Sequence, residues 1–455
     1  MSAVEIFDGP GVGDVHALRL LAGSPERIIA IHEGVPVTAA RFQRHVRALA
    51  EALPSGTHAV NLCEDRYRFL VALCAAAIRG QVNLLPPSRA PGIVAETMAG
   101  HPDAYALIDG KADACARTWR MPSSLAEVDG GPLRVDPAAI VVIGFTSGST
   151  GRPTPNPKSW GGFRVSTAQN LAALRSLWPA DAVASVVATV PPQHMYGMEL
   201  SIMLPLFADV GVHGGRPFFP QDVARALCET PAPRLLVTTP VHLRALVESG
   251  IELPAMAGII SATAPMPESL AAQAESRYGC ELREMFGSTE TCIIAVRRPA
   301  QTQAWRPLPG VSVQAQPDGS LVSASHLPLP VPLADVVEVD PDGCFHLRGR
   351  QADLLEIAGK RASLSELTRR LLAVPGVIDG VVFQLDAAFA GGVGRIAALV
   401  VAPGMQAVDI LGALRPQLDP VFLPRRLRCV QALPRNDTGK LPRAALLGLL
   451  GTSAD

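Results

Sequence analysis

The chain has 455 residues, too many for one hydrophobic core, so two or more domains are expected. Apolar residues make up 48% and charged residues 18%, with a formal net charge of -1; a large interior can be buried, and the charge argues against a general nucleic-acid binder. No apolar run reaches the roughly 18 residues of a membrane span, Met1-Ser2-Ala3-Val4-Glu5 offers neither a charged n-region nor an apolar h-region, and the eight cysteines form no Cys-x-x-Cys pair, so a reduced, cytoplasmic setting is expected.

In chain order, Gly9-Pro10-Gly11-Val12-Gly13 reads as a turn rather than a dinucleotide fingerprint. Thr38 caps a predicted helix over 39–53, and a second covers 65–80, ending at a glycine. A short strand at 82–85 stops at Pro86-Pro87. The strand predicted at 140–145 is followed by a helix at 165–177. Further strand-length apolar runs fall at 183–190, 235–238 and 258–261, with helical stretches at 240–249 and 267–278. This alternation predicts an α/β architecture of mostly parallel sheets covered by helices. Residues 309–347 change to short strands and turns, a small antiparallel β unit. A helix at 364–373, strands at 377–384 and 396–401 joined by a glycine-rich turn, a further helix and a basic tail follow. A domain boundary is placed at 349–353, giving 1–350 as the large N-terminal domain and 351–455 as a small α/β domain.

The strand at 140–145 opens into Thr146-Ser147-Gly148-Ser149-Thr150-Gly151-Arg152-Pro153. Glycines allow backbone N–H groups to converge, and the hydroxyls add donors, so the loop suits phosphate oxygens. No Gly-Lys-[Ser/Thr] occurs in the chain, which excludes a Walker A loop. Only four of the forty basic residues are lysine, namely Lys111, Lys158, Lys360 and Lys440. A surviving lysine marks either chance or a need for a compact ammonium that a planar guanidinium cannot meet.

The loop resembles the signature of the adenylate-forming superfamily of acyl- and aryl-CoA synthetases, adenylation domains and luciferases. Met285-Phe286-Gly287-Ser288-Thr289-Glu290 is similar to its aromatic-Gly-x-Thr-Glu motif. Asp335 matches the ribose-binding aspartate, Gly349-Arg350-Gln351-Ala352-Asp353 through Lys360 the interdomain junction, and Pro434–Arg443 the loop of the catalytic lysine, Lys440. Together these motifs span most of the chain in the family's order. The resemblance implies that ATP and Mg²⁺ serve to turn a carboxylic acid into an acyl-adenylate and then a thioester. It implies that Thr146, Ser147, Gly148, Ser149, Thr150 and Gly151 hold the β- and γ-phosphates, and that Thr289 reaches the α-phosphate. Glu290 would ligate the metal, and Asp335 with Arg350 the ribose. Ala264, Phe286 and Gly287 would line the nucleotide site. Lys440 would bridge the carboxylate and the α-phosphate. Ala352 and Asp353 would be the hinge on which the small domain rotates.

Two departures stand out. The lysine expected after the loop proline is Thr154, with Lys158 four residues later, either folding back to the phosphates or exposed on a loop. The hinge residue is alanine, with Asp353 as a substitute. Gln193-His194-Met195-Tyr196-Gly197 and Ser261-Ala262-Thr263-Ala264 resemble the walls of the acyl pocket, so His194, Tyr196, Gly197, Ala262 and Thr263 are expected against the substrate, with Tyr196 alternatively a packing residue. Pro157-Lys158-Ser159-Trp160 and His194–Gly197 also resemble aryl–acyl-carrier-protein ligases of aryl-polyene pigment pathways, which implies a hydroxybenzoate-type acid. Arg415, Arg425, Arg426, Arg428, Arg435, Lys440 and Arg443 face only Asp419 and Asp437 in sequence, a surplus suited to an acidic acyl carrier protein or to coenzyme A, or else an ordinary solvated face. A fatty acyl-CoA synthetase and a non-catalytic adenylate-binding protein remain as alternatives.

Overall fold

The computed structural model describes residues 17–86, 89–110, 117–147, 153–350, 354–357, 360–385, 395–418, 420–436 and 439–451. The turn at 9–13, the loop tip 148–152, the hinge positions 351–353, Asp419, residues 437–438 and the turn at 386–394 lie outside them.

By its internal contacts the chain divides into two compact units, residues 1–311 with 324–329, and residues 312–323 with 330–455. The small β unit is thus grouped with the C-terminal segment, whereas the boundary expected at 349–353 falls largely on residues outside those described.

In the first unit, β1 (Leu18–Arg19) pairs antiparallel with β8 (Arg134–Val135). One sheet contains β4 (His58–Asn61), β5 (Val82–Leu85), β6 (Tyr105–Ile108), β7 (Thr118–Arg120), β9 (Ile140–Ser147) and β10 (Pro153–Ser159), in the order β10-β9-β5-β4-β6-β7. All its pairs are parallel except β10 with β9. A larger sheet contains β2 (Ile28–His32), β3 (Val35–Thr38), β11 (Ala184–Ala188), β12 (Val210–His213), β13 (Arg234–Thr238), β14 (Gly258–Ser261), β15 (Glu281–Ser288), β16 (Cys292–Arg297) and β17 (Arg306–Pro307). Its order is β17-β16-β15-β14-β13-β11-β12-β2-β3, with the run from β15 to β2 parallel. The central parallel strands, such as β6, β11, β13 and β14, are buried along most of their length, as strands covered by helices on both faces must be.

The helices start where side chains cap them. Thr38 accepts from the N–H of Arg41 ahead of Ala39–Ala52, and Asp65 from that of Arg68 ahead of Arg66–Ile78. Arg66 is fully buried; its guanidinium donates to the carbonyls of Ala188, Val190 and Gly215 and to Ser201 Oγ, fixing that helix to the carboxyl end of β11. The helix expected at 165–177 instead runs over Trp160–Leu174. Ser159 Oγ caps it by accepting from Gly162 N at 3.0 Å, and the buried Trp160 packs against Phe207 with ring centroids 4.8 Å apart. The glycine pair at 161–162 hid this start from propensity.

In the second unit β18 (Val311–Gln316), β19 (Gly319–Ala324) and β20 (Val331–Leu333) form a three-stranded sheet. β21 (Asp335–Val339) pairs with β22 (Phe345–Arg350), and β23 (Leu354–Ile357) with β24 (Lys360–Ser363). β25 (Asp379–Leu385), β26 (Arg395–Val401) and β27 (Arg426–Cys429) form a sheet with the helix Leu364–Leu372 in its core. Among the described residues no helix is long and apolar enough to cross a membrane.

Candidate active site

In open α/β sheets, ligands bind beyond the carboxyl ends of the parallel strands, and the motif residues of the first unit gather there. β9 ends in Thr146 and Ser147, and β10 returns antiparallel, pairing Pro153 with Ser147 and Thr154 with Thr146. Prolines 153, 155 and 157 sit at alternate positions of an edge strand, which lets all three missing N–H groups face the open side. Asn156 Nδ2 reaches Thr146 Oγ1 at 3.4 Å and the Thr154 carbonyl at 3.0 Å. The loop tip itself, Gly148, Ser149, Thr150 and Gly151, lies outside the described residues.

Thr289 and Glu290 occupy the turn between β15 and β16. The turn is closed by Ser288 and Thr291: Ser288 N donates to Thr291 Oγ1, and Thr291 N to Ser288 Oγ, each at 3.2 Å. Gly287, beside a register shift in the pair, lies so near its partner that a Cβ would stand 2.1 Å from the Cys292 carbonyl. The turn also meets β9. A Cβ on Gly144 would lie 2.8 Å from Thr289 Cγ2 and 3.2 Å from Met195 Cε, so glycine there lets the acid-bearing turn, the base of the hydroxyl loop and the His194 segment converge. Phe286 lies tilted against Trp305, with ring centroids 5.4 Å apart. Below it the buried Glu284 pairs with Arg297 at 2.6 Å and accepts from Met266 N at 2.8 Å. Burial pushes the Glu284 carboxyl up, and Arg297 opposes that.

Lys158 stands half-buried on β10, not on an exposed loop, and its ammonium donates to the carbonyl of Glu290 at 2.6 Å. The Glu290 carboxylate is half-buried and has no ion pair or hydrogen bond among the described residues. With the Thr289 hydroxyl it offers hard oxygen donors at the foot of a phosphate-type loop, a donor set that fits Mg²⁺.

The segment after β11 supplies a second wall. His194 is the N-cap residue of the short helix Met195–Met198. Tyr196 is buried and its hydroxyl donates to the Ile260 carbonyl at 2.9 Å, so its proton is used inside the protein, as a packing residue's would be. Gly197 is buried in the same helix. Beyond β14, Ala262 is buried and Ala264 half-buried, while Thr263 holds a φ of 81°. A β-branched residue at positive φ costs about 1–3 kcal/mol and persists only where the surrounding structure over-determines the backbone. The hydroxyls of Ser261 and Thr263 are buried without a hydrogen bond among the described residues.

In the second unit Asp335 lies directly opposite Arg350 across β21 and β22. Lys440 is exposed on a pinned loop. Arg435 forks onto Asp379 at 2.8 Å and donates to the Gly439 carbonyl at 2.9 Å. Asn436 Oδ1 accepts from Lys440 N at 2.8 Å, and Gly439 has φ 80°. Arg428 and Arg443 are likewise committed to the Leu449 and Gln384 carbonyls. Three of the seven basic residues in this run therefore have structural work. Ala352 and Asp353 lie outside the described residues.

Helix-covered parallel sheets, with a hydroxyl-rich hairpin seated against an acid-bearing turn, define the adenylate-forming class of α/β enzymes. The chain belongs to the AMP-binding enzyme family, whose pattern matches residues 19–344, and within that class it is an acid–thiol ligase. It is 31% identical over 300 residues to a 4-coumarate–CoA ligase of Rhodobacter capsulatus, covering 65% of this chain and 73% of that one. To an L-proline–[L-prolyl-carrier protein] ligase of Pseudomonas fluorescens it is 27% identical over 117 residues, 26% of this chain and 24% of that one. The solved o-succinylbenzoate CoA synthetase of Bacillus subtilis, in complex with its acyl-adenylate, shares the fold with a TM-score of 0.79 at 18% identity, over 95% of this chain and 96% of that one.

Proposed function

We propose that this enzyme activates an aromatic carboxylic acid, such as 4-hydroxybenzoate, with ATP and Mg²⁺, and passes the acyl group to the phosphopantetheine thiol of an acyl carrier protein in the cytoplasm. The observation that carries the reading is the contact of Thr289 with Gly144, which sets the Thr-Glu turn against the root of the hydroxyl loop.

A carboxylate is a poor electrophile at neutral pH, so a leaving group must be made. The carboxylate oxygen attacks the α-phosphorus of ATP and the bond to the β-phosphate oxygen breaks, giving acyl-adenylate and pyrophosphate. Such a step needs positioning and charge stabilisation above all. Residues 146–151 hold the β- and γ-phosphates, and Thr289 donates to the α-phosphate. Mg²⁺, held by Glu290, would neutralise charge on the phosphates. Ala264, Phe286 and Gly287 line the nucleotide site, and Asp335 beside Arg350 accepts from the ribose hydroxyls. Lys440 spans the carboxylate and the α-phosphate as charge moves between them. The wall built by His194, Tyr196, Gly197, Ala262 and Thr263 receives the ring, and the unsatisfied Thr263 hydroxyl suits a polar ring substituent. Rotation about Ala352 and Asp353 then admits the thiol, which displaces AMP from the acyl carbon.

An aromatic acid is supported by the 4-coumarate relative, and a carrier protein by the prolyl relative and by the exposed cations Arg425, Arg426 and Lys440. Coenzyme A is the alternative acceptor. Pyrophosphate release with a panel of acids, followed by trapping on purified acyl carrier protein or coenzyme A, tests both parts. We expect release with hydroxybenzoates and a carrier-bound product. Release only with saturated fatty acids, or transfer only to coenzyme A, overturns the corresponding part.

A further inference from the structure

The turn that carries Thr289 and Glu290 is held at both poles by opposite charges. At one pole the Lys158 ammonium donates to the Glu290 carbonyl at 2.6 Å. At the other the Glu199 carboxylate accepts from Ile293 N at 2.9 Å through one oxygen. Its second oxygen accepts from Ser166 Oγ at 2.6 Å and Asn170 Nδ2 at 3.1 Å. His326 adds a third tie, donating from Nε2 to the Thr291 carbonyl at 2.7 Å. A cation on a peptide carbonyl and an anion on a peptide N–H match the two ends of the backbone dipole.

The Glu199 charge is not placed cheaply. Glu199 is only 1% exposed, in a run whose only other polar residue between Met198 and Phe207 is Ser201. Burial pushes its carboxyl up, opposed by its three donors and by the charge of Lys158. A buried acid of this kind is weak evidence for stability and better evidence for a fixed geometry. The geometry needing support is visible in the same turn, where Cys292 sits at φ 60°, a conformation that persists only when neighbours over-determine it.

We infer that Lys158 and Glu199 are positioning residues that clamp the Ser288–Cys292 turn, Lys158 tying it to β10 and Glu199 tying the start of β16 to the helix Trp160–Leu174, and that Lys158 does not act as a phosphate ligand. The inference rests on the proposed function only for what the turn does. The clamp also gives a reason for lysine at this position in an arginine-rich chain. A compact ammonium suits the single Glu290 carbonyl it meets, where a planar fork demands two parallel acceptors.

The test uses the full chain with Lys158→Met, Lys158→Arg and Glu199→Gln. Hydrogen exchange of the peptide spanning 286–295 should speed up in Lys158→Met and Glu199→Gln, while that of β13 and β14 stays as in the unsubstituted chain. Unchanged exchange in 286–295 overturns the clamp, whether or not the enzyme is active on the acids tried. In acid-dependent pyrophosphate release, Lys158→Met should lower kcat by about 10- to 100-fold, the scale of a misplacement near 1 Å, with the KM for ATP within about threefold. A KM raised more than about tenfold at unchanged kcat would instead identify a phosphate ligand. If Lys158→Met does not fold, Lys158→Arg carries the same readouts, with a kcat loss at unchanged KM expected and wild-type values for both contradicting the clamp. Absence of release in the unsubstituted chain with every acid counts against the proposed function and leaves the exchange result to decide the clamp.

Discussion

In the proposed function Lys440 bridges the carboxylate and the α-phosphate, and its surroundings suit that role. Arg435, anchored on Asp379, holds the loop from below and leaves the ammonium exposed. Lys440→Ala should therefore lower pyrophosphate release by about 100-fold or more, the scale of losing one charge-stabilising donor, while ATP still binds; release at the wild-type rate contradicts the role. Gly144→Ala asks a sharper question. Its new methyl would stand 2.8 Å from Thr289 Cγ2, so kcat should fall while the melting temperature drops only modestly, and normal kcat would show that the contact does not set Thr289. Thr289, Glu290, Asp335 and Lys440 could be nominated from the sequence because their motifs are contiguous and ordered. Gly144 and Glu199 were not, since their meaning lies in partners more than 90 residues away. The one available signal for Glu199 was a carboxylate inside the apolar run from Met195 to Phe207.

Elements were read well where caps and periods agree, and poorly where composition misleads. Thr38 marks the helix Ala39–Ala52 in sequence and in structure. Three prolines in seven residues argue against a strand, yet β10 forms because it is an edge and its prolines alternate. Within the first helix, His45 is buried with Nδ1 2.6 Å from the Tyr67 hydroxyl. Burial lowers its pKa, partly offset by Glu127. The unfolded chain thus binds a proton near the ordinary histidine value of about 6.5 that the folded chain refuses. The stability this contributes is complete above that value and is lost as pH falls below it. The urea midpoint should decline between about pH 7 and pH 5, and His45→Asn, though less stable, should show a shallower decline over the same range. The difference between the two curves isolates the histidine from Glu199 and Glu284, whose raised pKa values act in the opposite sense. Parallel curves would exclude His45 as a source of acid sensitivity.

At the scale of the whole molecule, the alternation of strands and helices up to Tyr278 was enough to predict helix-covered parallel sheets, because each parallel strand needs a crossover on a face of the sheet. The order of the strands was not readable, since β2, with β3 on its outer side, pairs with β12 across about 180 residues. The division into two units also goes beyond pattern. Residues 312–323 group with the C-terminal segment, which puts Asp335, Arg350 and Lys440 in one unit, and Thr146, Thr289 and Glu290 in the other. The proposed function draws on residues of both units for adenylation, and in it the thiol must later reach the same carbon. If residues 351–353 are the pivot, restricting the backbone there should separate the two half-reactions. Proline fixes φ near -65° and removes an N–H, so Ala352→Pro should leave acid-dependent pyrophosphate release within about threefold of wild type, while thioester formation falls about tenfold or more. Equal losses in both half-reactions would place the pivot elsewhere, and unimpaired thioester formation would mean that the thiol reaches the acyl carbon without rotation at this position.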